Sequence, residues 1–291
     1  MKNFILFFLL FISINLFSQV QENMIMDRFN MNAFNPAYVG SEGREVSFTS
    51  RSAWKGISQS PKTNYFYYSG NPKKNLSFGA SVISNKVFID TRTQYSIDAS
   101  YRLNINEGSN LFLGVKAGAS SKKTDLDGLP RITNVSNPAI SVDNDVTFPL
   151  FGLGALYKTK KFYFSVSIPN MLNPENFVDD DSTISSERPN TYFLTGTSLN
   201  LGGLFETKLN PFVSARIIPE GENQIHYGTT LDFKNTIEIG SGYKSTGFIN
   251  LILILKTKFG FTIAYAYDYP SPEENPAIAR SGSEFFIKFK F

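Results

Sequence analysis

Stretch after stretch of this chain makes every second side chain apolar, and that period of two constrains the fold more than any other feature. Residues 94–103 set Tyr95, Ile97, Ala99, Tyr101 and Leu103 on one face, opposite Gln94, Ser96, Asp98, Ser100 and Arg102. Residues 236–244 place Ile237, Ile239 and Tyr243 opposite Thr236, Glu238, Gly240, Gly242 and Lys244. Residues 260–269 repeat the pattern with Phe261, Ile263, Tyr265, Tyr267 and Tyr269. Side chains alternate across a pleated backbone, so these segments are strands. No long stretch combines helical spacing with caps, and the chain reads as all-β. About 14 strands are predicted, near 45–52, 63–69, 76–83, 93–103, 111–120, 150–157, 162–168, 192–200, 207–217, 224–233, 236–244, 247–256, 260–269 and 283–291. The stretch 247–256 is apolar on both faces except at Asn250, as in a strand whose inner face meets an apolar patch or plug.

The connections are sorted by length. Those at 70–75, 104–110, 158–161, 201–206, 234–235 and 257–259 are short. The intervening ones include long loops at 53–62, 84–92, 121–149, 169–191 and 270–282, with only 218–223 and 245–246 brief. In an antiparallel up-and-down meander every second connection lies at the same end. Short turns therefore gather at one rim and long loops at the other, the asymmetry of a transmembrane outer-membrane β-barrel. The C-terminal strand agrees. Phe285, Ile287, Phe289 and Phe291 share one face, with Glu284, Phe286, Lys288 and Lys290 on the other. In water that apolar row invites aggregation; in lipid it is the solvated face. Phe289 and the terminal Phe291 are read as the signal for barrel assembly. An even strand count predicts both chain ends in the periplasm.

The N-terminus predicts export. Lys2 precedes nine uninterrupted apolar residues, Phe4 to Ile12. That is too short for the ~20 residues of a spanning helix, so residues 1–18 are expected to be a signal peptide cleaved before Gln19. Residues 45–291 form the predicted barrel, and 19–44 precede it as a periplasmic or plug segment. The apolar loop residues Ile132, Val135, Ile140, Val142, Val146 and Phe148 point either to a partner-binding platform on the outer rim or to a lid folded over the barrel mouth.

Little here suggests catalysis. The absence of Cys excludes disulfides, thiol nucleophiles and Cys-ligated zinc. The one His, His226, leaves no second imidazole for a metal cluster or a Ser-His triad and fits the polar inner face beside Gln224, Thr230 and Asp232. A net charge of +3 is too small to imply nucleic acid. The run Asp179-Asp180-Asp181 lacks calcium-loop spacing, and Asp125 and Asp127 before Gly128 lack the remaining ligands of an EF-hand. Gly152, Gly154, Gly240 and Gly242 fall inside strands with no following helix; they suit a bend in the wall or close approach of a plug. No catalytic, cofactor-binding or metal-binding set is predicted.

Four motifs in order complete the reading. They are Asn35-Pro36-Ala37-Tyr38-Val39-Gly40; Arg51 with Trp54, then Pro61 and Thr63; Tyr265-Ala266-Tyr267-Asp268; and Gly282-Ser283-Glu284. The chain resembles the PorP/SprF family of the type IX secretion system of Bacteroidetes, whose members open with an NPAYAG-like motif and usually carry GSHE where this chain has Gly282-Ser283-Glu284. The resemblance implies a non-enzymatic outer-membrane barrel of 14 strands. It would help secrete, or hold at the cell surface, a protein such as a gliding adhesin with a type IX C-terminal sorting domain. Implied partners are that secreted protein, the translocon and periplasmic peptidoglycan-binding components, with outer-membrane lipid around the wall. Asn35, Pro36, Tyr38, Gly40, Arg51 and Trp54 are the candidates for a plug or docking role, although Asn35-Pro36 and Gly40 equally suit a simple turn and Trp54 an interfacial aromatic. The alternative function is a diffusion porin or small-solute transporter, which calls for an open lumen lined by charge. The inner face is instead rich in Ser, Thr and Gly. A lipid-modifying enzyme lacks a catalytic set.

Overall fold

The structure is a computed structural model that describes residues 24–57, 59–70, 75–125, 146–172, 189–203, 206–219, 221–271 and 280–291. The predicted signal peptide, Asp127, Asp179-Asp180-Asp181 and most of the loop 121–149 lie outside them. The strands are β1 (Glu45–Ser52), β2 (Lys62–Gly70), β3 (Leu76–Val87), β4 (Asp90–Asn106), β5 (Ser109–Thr124), β6 (Val146–Thr159), β7 (Phe162–Ile168), β8 (Thr191–Thr197), β9 (Leu199–Gly202), β10 (Thr207–Ile217), β11 (Gln224–Phe233), β12 (Ile237–Lys244), β13 (Phe248–Lys256), β14 (Phe261–Pro270) and β15 (Gly282–Lys290). Both β8 and β9 pair with β10, so they are two parts of one wall strand interrupted at Ser198. Fifteen segments thus fill 14 places in a sheet where each strand lies antiparallel to its sequence neighbour. The sheet closes where β1 meets β15, with Phe48 opposite Ile287 and Arg51 opposite Glu284. Closure removes the unpaired edge that an open sheet would present to lipid.

Alternation decides which face meets which solvent. Ile97 is 66% exposed and Leu251 62%, whereas their neighbours Asp98 and Asn250 are fully buried. Tyr95, Ile239, Tyr265 and Phe285 also stand outward. An apolar belt running round the whole wall is far larger than a water-soluble monomer exposes, and it is the face that hydrocarbon solvates. The chain is an outer-membrane β-barrel.

Some connections depart from expectation. Residues 121–124 and 146–149, expected in a loop, extend β5 and β6, so Val146 and Phe148 belong to the wall. The loop predicted at 84–92 is a tight turn: β3 runs to Val87 and β4 begins at Asp90, with pairing continuous through Ser84–Thr93 and Lys86–Thr91. Beyond the membrane both faces of a hairpin are wet, so alternation disappears although the ladder continues. Only Phe88 and Ile89 turn the chain, with Phe88 at φ +53°.

The interior is filled by the chain that precedes β1. A tight turn from Met26 to Asn30 leads into one helical turn, α1 (Met31–Phe34), and a 3-10 turn at Pro36–Tyr38. Met24, Met31, Ala37, Tyr38 and Val39 pack with Tyr65, Tyr67, Ile83, Phe112, Leu156 and Leu194 from the wall. Ile25 and Met26 pack with Phe212, Ile252, Ile254, Ala264, Ala266 and Phe286. The doubly apolar strand is thereby explained, because Ile252 and Ile254 of β13 face this segment while Leu251 and Leu253 face out.

Candidate functional site in the barrel lumen

The Asn35-Pro36 pair sets the shape of the inner segment. Proline disfavours a helical residue before it, so Asn35 is extended (φ −125°, ψ 110°) and α1 stops there. The Ala37 N–H donates to Asn35 Oδ1 at 2.8 Å, which caps the 3-10 turn that Pro36 opens. Asn35 Nδ2 reaches the wall instead, donating to the Ala155 carbonyl at 2.9 Å and to Ser165 Oγ at 2.7 Å. Gly40 ends the motif at φ +74°, where an L side chain is strained, and its N–H donates to Ser69 Oγ at 3.0 Å. Tyr38 is buried between the segment and the wall; burial first, then the Glu45 and Glu42 carboxylates, pushes its phenol well above the usual range.

The wall makes room for this turn. A Cβ on Gly114 would overlap the backbone of Pro36 and Ala37, and one on Gly154 would overlap the Asn35 carboxamide. These glycines face each other across β5 and β6, so the motif rests on a window of bare backbone.

A second attachment is ionic. Glu284 of β15 accepts the backbone N–H groups of Ile25 and Met26 and, at 3.0 Å, Asn30 Nδ2. Asn30 Oδ1 in turn accepts from Thr49 Oγ1 at 2.6 Å. Arg51 of β1 lies 3.7 Å from Glu284 and 2.8 Å from Asp268 of β14, and Lys244 of β12 reaches Asp268 at 3.2 Å. These charges are almost wholly withdrawn from water, where an unpaired ion is expensive; here each has an opposite partner. Further along the segment, Asp27 Oδ2 accepts from Ser214 Oγ at 2.6 Å and faces His226 Nδ1 at 3.0 Å, while His226 Nε2 meets Asn250 Nδ2 at 2.9 Å. Arg28 pairs with Glu238, and Glu42 with Lys158 and Lys290. Burial raises the Glu42 carboxyl, but Lys158, Lys290 and Lys288, with the hydrogen bond from Lys158, outweigh it and hold the group far below the usual carboxylate range.

The six candidate residues separate into three places. Asn35, Pro36, Tyr38 and Gly40 form one turn inside the barrel. Arg51 belongs to the ionic group with Asp268 and Glu284, so the second, third and fourth motifs converge in space. Trp54 stands in the connection after β1 at φ +53°, its ring 5.8 Å from that of Phe88, and with Arg51 it lines a cavity of about 210 Å³. Phe289 and Phe291 are on the outer face, stacked on one another at 5.8 Å, with Phe261 4.5 Å from Phe289. Sequence reasoning missed Gly114, Asn30 and Glu42. Gly114 carries the one usable signal, an inward-facing glycine within an alternating strand. Among the described residues no group of His, Cys, Asp and Glu is arranged to hold a metal ion.

A family model described as type IX secretion system membrane protein PorP/SprF matches residues 19–289. No curated protein matches the sequence significantly. Among solved structures, the toluene transporter TbuX of Ralstonia pickettii is similar at 9% identity and a TM-score of 0.48, covering 88% of this chain and 92% of that one. The Acinetobacter baumannii outer membrane protein Omp33 is similar at 12% identity and a TM-score of 0.46, covering 86% and 98%. A triple mutant of the Rhodopseudomonas blastica porin is similar at 8% identity and a TM-score of 0.39, covering 85% and 98%.

Proposed function

Since the chain belongs to the PorP/SprF family of type IX secretion system membrane proteins, we propose that this outer-membrane barrel acts without catalysis, helping to secrete a protein with a type IX C-terminal sorting domain or to anchor it at the cell surface. The observation that carries the reading is the pinned segment inside the lumen. A diffusion porin needs an unobstructed passage, whereas this barrel holds Met24 to Arg44 across its interior through apolar packing, the glycine window and the Glu284–Arg51–Asp268 group. In this reading Asn35, Pro36, Tyr38 and Gly40 plug the lumen and Arg51 braces the plug. Trp54 and the long connections form the outer docking rim, and Phe289 and Phe291 direct assembly. Residues 1–18 are removed on export, and the short-turn rim, where the inner segment joins β1 at Glu45 and β15 ends at Lys290, faces the periplasm as in bacterial barrels generally. Two measurements on one preparation test this. The purified barrel in planar bilayers is expected to pass little steady current, whereas Gly114→Val, which drives a side chain into the Pro36–Ala37 backbone, opens a conductance. Affinity-tagged barrel from the native cell is expected to retain a sorting-domain protein. Large currents from the unaltered barrel, with no such protein retained, would establish the porin instead.

A further inference from the structure

On the short-turn side of the inner segment the lumen widens into a vestibule of about 470 Å³. This is within the range of ligand sites, roughly 300–1,000 Å³. Its charge is one-sided. Among the described residues eight Lys and Arg side chains line it against two carboxylates, Glu42 and Asp232. The cations come from separate elements: Lys160 and Lys161 from the turn between β6 and β7, Lys208 from β10, Lys256 from β13, Lys290 from β15. Some are already matched, Lys158 and Lys290 by Glu42 and Lys256 by Asp232 and Glu238. Lys160, Lys161 and Lys208 have no ion pair among the described residues. Clustered like charge raises the potential of a cleft walled by low-dielectric material, and an anion relieves it.

We propose that this vestibule binds an acidic peptide segment of a periplasmic protein. Three observations select that occupant. Glu42 is itself a peptide carboxylate gripped there by two lysines, so the pocket's cations already accept this chemistry. All but one of the cations are Lys, a mobile point charge, rather than the planar Arg fork suited to bidentate phosphate. The remaining lining includes Phe29, Leu156 and Tyr163, which suit apolar side chains between carboxylates and are foreign to a small inorganic anion. The periplasmic source of the peptide rests on the orientation proposed above; the binding chemistry does not.

The test uses the purified full-length barrel in detergent and a fluorescein-labelled peptide of Glu and Phe, followed by anisotropy. The peptide is expected to bind with an affinity that falls as salt is added, and a Gln and Phe counterpart to bind far more weakly. K160E/K161E/K208E should weaken binding about tenfold or more, while K62E/R280E at the opposite rim leaves it unchanged. K160Q/K161Q/K208Q, which adds no carboxylate, should move binding the same way by less and guards against a misfolded triple reversal. Equal binding of the neutral peptide, or no loss in either triple variant, overturns the proposal. Binding of inorganic polyphosphate without binding of the Glu and Phe peptide overturns it in favour of phosphate chemistry. Because the chain has no Cys, K161C labelled by an impermeant maleimide reads orientation separately. Labelling only after the outer membrane is permeabilised is the expected result; labelling on intact cells removes the periplasmic source and leaves the solution binding data standing.

Discussion

Asn35→Ala is the substitution that most directly tests how the inner segment is held. The carboxamide makes three contacts of ordinary length, with Ala37 N–H, the Ala155 carbonyl and Ser165 Oγ, at 2.8, 2.9 and 2.7 Å. Removing the cap on the 3-10 turn costs about 1 kcal/mol. Each of the two wall contacts contributes about another 1 kcal/mol net. The sum, about 3 kcal/mol, is a factor of roughly 150 in the equilibrium between docked and released segment. Because the barrel ladder is untouched, the wall should remain folded while the segment loosens. Limited trypsin digestion reads this at Arg28, which is held inside by its pair with Glu238. Cleavage after Arg28 should accelerate strongly in Asn35→Ala, while heat-modifiable migration on gels shows an intact barrel in both proteins. Asn35→Asp keeps the cap but loses both donors to the wall, so it should release the segment nearly as well. Equal cleavage rates in wild type and both variants would refute the claim that Asn35 pins the segment.

Arg51→Met strips the counter-charge from Glu284 and leaves Asp268 with Lys244 alone; losing one member of a buried pair costs about 3–5 kcal/mol, so the unfolding temperature in detergent should fall clearly below that of Lys62→Met. Phe289→Asp with Phe291→Asp places carboxylates on the lipid face, a change costing up to about 2–4 kcal/mol near the midplane and less at the interface; fractionation should find exported protein that has not reached its heat-modifiable form. The Glu42 carboxyl is depressed in the folded state, so its contribution is fully present above its ordinary value of 4.5 and is lost as pH falls from there towards its folded value. Trypsin-independent release of the segment, followed by a fluorophore on Q19C, should therefore increase with acidification below about pH 4.5 in the wild type and lose that component in Glu42→Gln.

The wall was legible in the sequence because lipid on one side and a polar lumen on the other write a period of two directly into β4, β12, β14 and β15. Where that contrast ends, so does the signal. The hairpin at Ser84–Thr93 is wet on both faces and resembled a loop, although its pairing never breaks. Ser198 splits one strand without a composition cue; its N–H bonds the Lys161 carbonyl at 2.7 Å, a contact with the neighbouring turn that alternation does not encode. The candidate site was legible as motifs and opaque as geometry. Arg51, Asp268 and Glu284 lie far apart along the chain and meet only because the sheet closes. Gly114 faces Gly154 only through a register that spacing alone does not fix, so the window under Pro36 stayed invisible.

The seam between β1 and β15 has a consequence for biogenesis. The carboxylate that grips the backbone of Ile25 and Met26 sits on the last strand to be made, and Arg51, which braces it, sits on the first. The backbone of Ile25 and Met26 therefore lacks this anchor until the final strand has arrived and zipped onto β1. Contacts this distant in sequence form late, after a large entropy of loop closure has been overcome. A chain stalled one strand short keeps the Arg28 and Asn35 contacts but leaves Ile25 and Met26 without their carboxylate, whereas a finished one holds both. The Glu284 carboxylate thus grips the leading segment only in a molecule whose last strand is in place.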